Sequence, residues 1–337
     1  MNIREGRGRA KRAGPPDGRP IVLVDAALPA APLEVVREVA ELLRFADEVE
    51  LDRLIDLHGD RVAGLGVQLT TEIDERRLDR LPALEVVADY AVGYDNVDLL
   101  AAAERGVVVT HTPDVLTEAT ADLTWALILA VARRIREGDA LARSGAWDGW
   151  SPSQLLGLEL AGATLAILGL GRIGEAVARR GRAFGMQIVY WSRSPRPELE
   201  WELGARRAGL EEALGSADVV SVHLPLTDET RHLIDARRLA LFKRGAILVN
   251  AARGPIVDED ALADALEEGR LMGAGLDVHE REPAVHPRLA ASGRTVLLPH
   301  LGSATVATRD RMAERVAQNL VAVLRGSPPP DPVPESK

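Results

Sequence analysis

The chain contains no cysteine. Disulfides, a thiol nucleophile and thiolate metal sites are therefore all excluded, and the composition fits a reducing, cytoplasmic setting. No metal site is expected. Long apolar runs are missing too: none approaches the ~18 residues of a membrane span. Lysine is almost absent, with Lys11, Lys243 and Lys337 the only three; arginine takes its place, which reads as a compositional bias rather than a mechanism. Positive net charge is lacking as well. At -10, the chain is a poor partner for nucleic acid or anionic membranes. There is no internal repeat. The basic, Gly/Pro-rich residues 1–20 have no apolar core of the kind a secretory signal needs, and they read as a disordered tail. Pro328-Pro329-Pro330 and the residues after them read as a second loose end.

What is present is organised around Thr164-Leu165-Ala166-Ile167-Leu168-Gly169-Leu170-Gly171-Arg172-Ile173-Gly174. An apolar run reads as a buried strand, breaks into glycines and passes at once into a helical pattern marked by Ile173, Val177 and Phe184. Gly169-x-Gly171-x-x-Gly174 is the dinucleotide spacing in the context it requires. The first glycine permits a tight turn, the second lets backbone approach a pyrophosphate, and the third lets helix and strand pack closely. The helix N-terminus, with Arg172 and Ile173 in its first turn, then offers N–H groups to phosphate.

A length of 337 residues suits about two domains. Ile21–Asp25, Arg61–Leu69, Leu84–Ala88 and Val107–Thr110 read as strands, and Leu33, Val36, Ala40 and Leu43 repeat at helical spacing. These make residues 21–112 one α/β unit with a parallel sheet. After its third strand, the Asp89–Asn96 stretch carries Val92 and Gly93, where backbone N–H groups can face a carboxylate. Thr117–Ile135 is a long helical run, with Thr117 as N-cap and Thr120 in the first turn, and it is a candidate hinge helix. Trp147 and Trp150 lie in a polar loop, where an indole pair is either a core plug or an interface anchor, and the interface is the preferred reading.

Strands follow at 187–191, 218–224, 245–250, 273–278 and 295–298. Pro225 and Thr230 lie after the second of these five, Arg253 after the third, and Asp277, Glu282 and His300 near the last two. In doubly wound sheets ligands bind beyond such strand ends. Met312, Val316, Leu320 and Leu324 mark a last helix that returns to the first unit. At the end of strand 187–191 stands Ser192-Arg193-Ser194-Pro195-Arg196. An NAD site usually places an acid about 20 residues past the glycines. Ser192 occupies that place, so Ser192, Arg193 and Arg196 favour a 2′-phosphate. NADP(H) is the preferred cofactor, with NAD(H) possible.

Taken in order, these motifs resemble the D-isomer-specific 2-hydroxyacid dehydrogenase family over nearly all of residues 21–326. The resemblance rests on the 169–174 glycines, His223-Leu224-Pro225-Leu226-Thr227, Asn250-Ala251-Ala252-Arg253-Gly254, Gly275-Leu276-Asp277-Val278, Glu282-Pro283 and Pro299-His300-Leu301-Gly302-Ser303-Ala304-Thr305. Gly-Ser-Ala-Thr and the Trp147–Pro152 stretch are most similar to the glyoxylate/hydroxypyruvate reductase branch. The resemblance implies an α/β architecture of two doubly wound parallel-sheet domains. A Rossmann cofactor domain, residues 113–298, is inserted in a flavodoxin-like substrate domain, residues 21–112 and 299–326, with residues 327–337 as a tail.

It also implies roles. His300 matches the general acid/base and Glu282 its carboxylate partner, which should raise the pKa of the histidine. Arg253 matches the substrate arginine, and Val92 and Gly93 match the loop that grips the substrate carboxylate. Asp277 matches the acid near the nicotinamide amide. Trp150 matches a tryptophan that enters a partner subunit's pocket, which implies a homodimer. The implied activity is NAD(P)H-dependent reduction of a small 2-oxo acid to a D-2-hydroxy acid. Glu282 stands where the related formate dehydrogenases have Gln, and the loop around Tyr90–Gly93 lacks the lysine of phosphite dehydrogenases. A bulkier 2-oxo acid, or a nucleotide-sensing binding protein on the same fold, are the alternatives. His279 sits where Phe is usual, a polar ring next to Glu282.

Overall fold

The computed structural model describes residues Gly18–Pro334, so most of the 1–20 tail and residues 335–337 lie outside the described residues. The chain forms two compact units. One takes in the chain up to Val115 and from Val306 onward, and the other is Leu116–Thr305.

The first unit is built on five parallel strands, β1 (Ile21–Asp25), β2 (Glu41–Phe45), β3 (Val62–Val67), β4 (Val86–Asp89) and β5 (Val108–Thr110). Their order is β2-β1-β3-β4-β5, the flavodoxin-like arrangement. β1, β3 and β4 are buried along their whole length, as parallel strands covered on both faces must be. The helix Val306–Leu324 lays Val316 and Leu320 on the sheet over Gly66 and Gly64.

Two expectations fail here. The helical spacing at 33–43 resolves into a short turn at Ala30–Leu33, a 3-10 turn at Glu34–Glu38 and the strand β2. Leu33, Val36 and Ala40 are buried as the spacing required, but β2 pairs in register with β1, Ile21 opposite Glu41. Ladder pairing prevails over a periodicity that a turn and a strand can also satisfy. The residues after the triple proline are not loose either, as far as Pro334. Asp331 is buried. Its N–H donates to Asn319 Oδ1 at 3.0 Å, its carbonyl accepts from His111 N at 3.1 Å, and Val333 N–H donates to Val109 O at 3.0 Å.

The second unit holds seven parallel strands: β6 (Thr164–Leu168), β7 (Gln187–Trp191), β8 (Arg206–Arg207), β9 (Val219–Val222), β10 (Ile247–Asn250), β11 (Gly273–Leu276) and β12 (Thr295–Leu297). The order β12-β11-β10-β9-β6-β7-β8 runs outward from β6 in both directions, so the topological switch lies between β6 and β9. Pro299–Thr305 belong to this unit, not to the first. The N–H of Leu298 bonds Leu276 O and that of His300 bonds Asp277 O, each at 2.8 Å, tying the segment to the end of β11. The long helix is Thr117–Ala132, capped at Leu116 and not Thr117. A second helix, Ile135–Ser144, follows and has no buried residue.

Candidate active site

The switch point is shaped by the glycine turn after β6. Gly169 has φ +97°, and a Cβ there would stand 2.5 Å from the His223 carbonyl oxygen, so only glycine suits both the conformation and the contact. Gly171 opens the helix Arg172–Ala183 without a side-chain cap, and nothing lies within 4 Å of where its Cβ would be. Among the described residues the N–H groups of Gly171 and Ile173 meet no acceptor. Open space faced by helix N-terminal N–H groups is what a pyrophosphate needs. The turn therefore fits a dinucleotide.

Arg253, Asp277 and His300 each stand within three residues of the carboxyl ends of the neighbouring strands β10, β11 and β12. Beyond β10, the buried Asn250 locks the turn: its Oδ1 accepts the Ala252 N–H at 3.1 Å and its Nδ2 donates to the Arg253 carbonyl at 2.9 Å. Arg253 follows, half-buried, with Nη1 donating to the Ala252 carbonyl at 2.9 Å. Gly254 presses so closely on the next loop that a Cβ would stand 2.0 Å from the His279 carbonyl. That approach sets the Arg253 turn against the segment leading to Glu282.

His300 is held by its backbone. It has φ +57°, and its N–H is bonded to Asp277 O. The Asp277 carboxylate accepts the N–H groups of Leu301 at 2.6 Å and Gly302 at 2.8 Å. Thr120 Oγ1 donates to the Gly302 carbonyl at 3.1 Å. With the turn so fixed, His300 Nδ1 meets Glu282 Oε2 at 2.9 Å. The other oxygen, Oε1, accepts the His279 N–H at 3.0 Å.

The charges follow from these contacts. Burial works to raise the Glu282 carboxyl, but the hydrogen bond and charge of His300 and the His279 N–H outweigh it and hold Glu282 below the usual carboxylate range. Asp277 is pushed up, chiefly by burial, against the two N–H groups it accepts. His223, whose carbonyl abuts the glycine turn, is driven by burial down to about 3, so its ring is neutral at ordinary pH.

Comparisons with known proteins show the family. The sequence model of the D-isomer specific 2-hydroxyacid dehydrogenase NAD-binding domain matches residues 125–302. The chain is 48% identical over 317 residues to a glyoxylate reductase of Thermococcus kodakarensis, covering 93% of this chain and 95% of that one. The chain belongs to the D-isomer specific 2-hydroxyacid dehydrogenase family. A glyoxylate reductase of Aeropyrum pernix is 54% identical over 269 residues, 78% of this chain and 80% of its own. Among solved structures, an NADPH-dependent glyoxylate/hydroxypyruvate reductase from Sinorhizobium meliloti, in complex with NADP and malonate, superposes with a TM-score of 0.85 at 38% identity, covering 94% of this chain and 98% of that one. The protein is thus an oxidoreductase with a nicotinamide dinucleotide site.

The remaining residues singled out in the sequence are distributed over this dehydrogenase as follows. Ser192 Oγ donates to the Ser194 carbonyl at 2.5 Å. Arg196 is committed elsewhere: its guanidinium pairs with Glu198 at 2.6 Å and Glu175 at 3.1 Å and donates to the Leu170 carbonyl at 2.8 Å. It braces the glycine turn rather than standing free beside Ser192. Thr230 Oγ1 donates to the Pro225 carbonyl at 2.7 Å, closing the turn after β9.

Arg207 is the residue that sequence reasoning misses. From the edge strand β8 it donates to the Ser192 and Arg193 carbonyls at 3.1 and 3.0 Å, so it shapes the loop that follows β7. A two-residue strand leaves no periodic signal.

In the first unit, the Ala91 carbonyl accepts from Thr112 N and Oγ1, and the Val92 carbonyl lies 2.8 Å from His111 Nδ1. The carbonyls are thereby occupied, and among the described residues the N–H groups of Val92 and Gly93 meet no acceptor. Trp147 and Trp150 are exposed, Trp150 by 82%.

Proposed function

We propose that this enzyme reduces a small 2-oxo acid of the glyoxylate–hydroxypyruvate class to the D-2-hydroxy acid, with NADP(H) preferred to NAD(H). The observation that carries the reading is the His300–Glu282 pair at 2.9 Å, on a turn anchored by Asp277 and next to the Arg253 loop. The nicotinamide, when bound, supplies the hydride. The chain's own groups do the rest. With Nδ1 engaged by Glu282, Nε2 of His300 holds the proton that goes to the new alkoxide. Arg253 takes the substrate carboxylate bidentately and polarises the carbonyl. The N–H groups of Val92 and Gly93, which meet no acceptor among the described residues, are proposed as hydrogen-bond donors to a substrate carboxylate. The glycine turn holds pyrophosphate, and Asp277 fixes the His300 turn.

The preference for NADP(H) is argued from Ser192 and Arg193, which bring a hydroxyl and a cation where NAD enzymes bring an acid. Arg207 beside them adds positive charge. The test is initial-rate oxidation of NADPH and NADH against glyoxylate, hydroxypyruvate, pyruvate and a bulky 2-oxo acid. Fast turnover of glyoxylate or hydroxypyruvate with NADPH is expected; no turnover with any of the four would sink the proposal. Ser192→Asp should lower the NADPH/NADH ratio of kcat/KM roughly 10²-fold, because like charges brought together cost several kcal/mol. An unchanged ratio would remove the 2′-phosphate argument.

The enzyme is further proposed to be a homodimer. The helix Ile135–Ser144 buries nothing, and Ile135, Trp147, Trp150 and Leu156 are all exposed. Exposed apolar side chains grouped in one segment favour a covering surface, and in the glyoxylate/hydroxypyruvate branch that this chain resembles a tryptophan at the Trp150 position enters the partner's pocket. Light scattering after gel filtration should give twice the chain mass for the wild type; a monomer at micromolar concentration contradicts the proposal.

A further inference from the structure

Behind the Glu282–His300 pair lies a second histidine–carboxylate pair. His279 is 5% exposed and Glu259 5% exposed. Nε2 of His279 is 3.0 Å from the Leu298 carbonyl oxygen. A carbonyl only accepts, so that nitrogen carries hydrogen. Nδ1 is then turned toward Glu259 Oε1, 3.7 Å away, an ion-pair separation longer than a hydrogen bond. A lone pair at that place would face a carboxylate in dry surroundings, which is repulsive; a second proton on the ring makes the contact attractive. Glu259 is the first residue of the helix Glu259–Glu267, where the positive end of the helix dipole favours an anion. Its Oε1 also accepts the Glu280 N–H at 3.2 Å.

The charged groups around His279 are Glu259 and Glu282. Glu280 lies beyond Glu259 and is paired with His232 at 2.8 Å, and His300 lies beyond Glu282. Glu259 raises the basicity of the ring against the opposing effect of burial. The Glu282 carboxylate bridges the two histidines, one oxygen on the His279 N–H and the other on His300 Nδ1.

We propose that His279 is a positioning residue for the reaction: a buried cation, paired with Glu259, that stands behind Glu282 and keeps it ionised and hydrogen-bonded to His300. This rests on the reading of His300 and Glu282 as the acid/base pair. When His279 loses its charge, Glu282 takes up a proton at higher pH and His300 loses its partner.

The pH profile of kcat/KM tests this. In His279→Gln the acid limb moves to higher pH, by about one unit, as expected for removing a cation that acts on a nearby carboxylate. KM at the plateau and NADPH affinity do not follow it. Glu259→Gln, which removes the reason for the charge, gives the same displacement, and Glu259→Asp restores the wild-type limb. The double variant His279→Leu/Glu259→Leu replaces the buried pair with apolar side chains, an exchange that proteins often tolerate, and it shows the displaced limb as well. Independently of turnover, ¹⁵N spectra of the histidines, with His279 assigned by its loss in His279→Gln, show both ring nitrogens protonated at neutral pH. A neutral His279 ring in those spectra, or an acid limb in His279→Gln and the double variant that overlies the wild type, overturns the proposal. Failure of the underlying reading looks different: His300→Ala then turns over like the wild type, whatever His279 does.

Discussion

His300→Ala lowers kcat for 2-oxo acid reduction by about 10²–10⁴-fold, the usual contribution of a positioned general acid, and leaves NADPH affinity within about twofold. The split follows from the structure. The ring is held through Nδ1 by Glu282, while the turn itself is held by the backbone bonds to Asp277, which alanine keeps. The glycine turn at 169–174 is a separate segment and retains its N–H groups. Stopped-flow fluorescence reads cofactor binding and initial rates read turnover; activity near wild type would remove His300 from the mechanism. The pH dependence has a definite sign. Glu282 titrates below its ordinary value in the folded enzyme. Its ionised state, and with it the stabilising contact to His300, is therefore complete above the ordinary carboxylate range and is lost as pH falls through the lowered value. Activity and stability should decline together on the acid side, and Glu282→Gln should abolish that shared decline.

Arg253→Ala is expected to lower kcat/KM by about 10³-fold, since removing one member of a desolvated charge pair costs 2–5 kcal/mol or more. Most of the loss should appear in KM, because the carboxylate is gripped in ground state and transition state alike, with a smaller loss in kcat from the unpolarised carbonyl. Arg253→Lys should recover part of it: an ammonium keeps the charge but not the two-pronged geometry. The Asn250 side chain fixes the backbone of this turn through Ala252 N and Arg253 O, so the alanine variant should fold normally. A KM for glyoxylate unchanged in Arg253→Ala would assign the carboxylate to another group.

The glycine turn was legible because its constraints are local. A positive φ at Gly169 and contact of its Cβ position with a neighbouring strand allow one residue type, and the sequence displays it. The strand ends that carry Arg253, Asp277 and His300 were legible for a related reason: β10 and β11 are buried along their whole length and β12 in part, and such parallel strands read as short apolar runs with polar residues where they stop. β2 was not legible, since Leu33, Val36, Ala40 and Leu43 satisfy a helix as well as a turn followed by a strand, and only pairing with β1 decides. Asp331 escaped because its anchor, Asn319, is set by tertiary contact, and a proline run before it looks like an end. Arg196 has the charge and the place after β7 that a 2′-phosphate site uses. The carboxylates that claim it, Glu175 and Glu198, could be matched to it only in three dimensions.

The return of Asp331–Val333 to β5 bears on the order of assembly. The first unit cannot close its sheet edge or cover β3 and β4 until Val306–Leu324 and Asp331–Val333 have been synthesised, and those come after all of Leu116–Thr305. The second unit is continuous in sequence and can complete its core while the first still waits on the ribosome. Domains made from an unbroken stretch generally fold as units during synthesis, whereas contacts of very long sequence separation form late. The nascent chain should therefore acquire a dinucleotide site before it acquires a finished first unit.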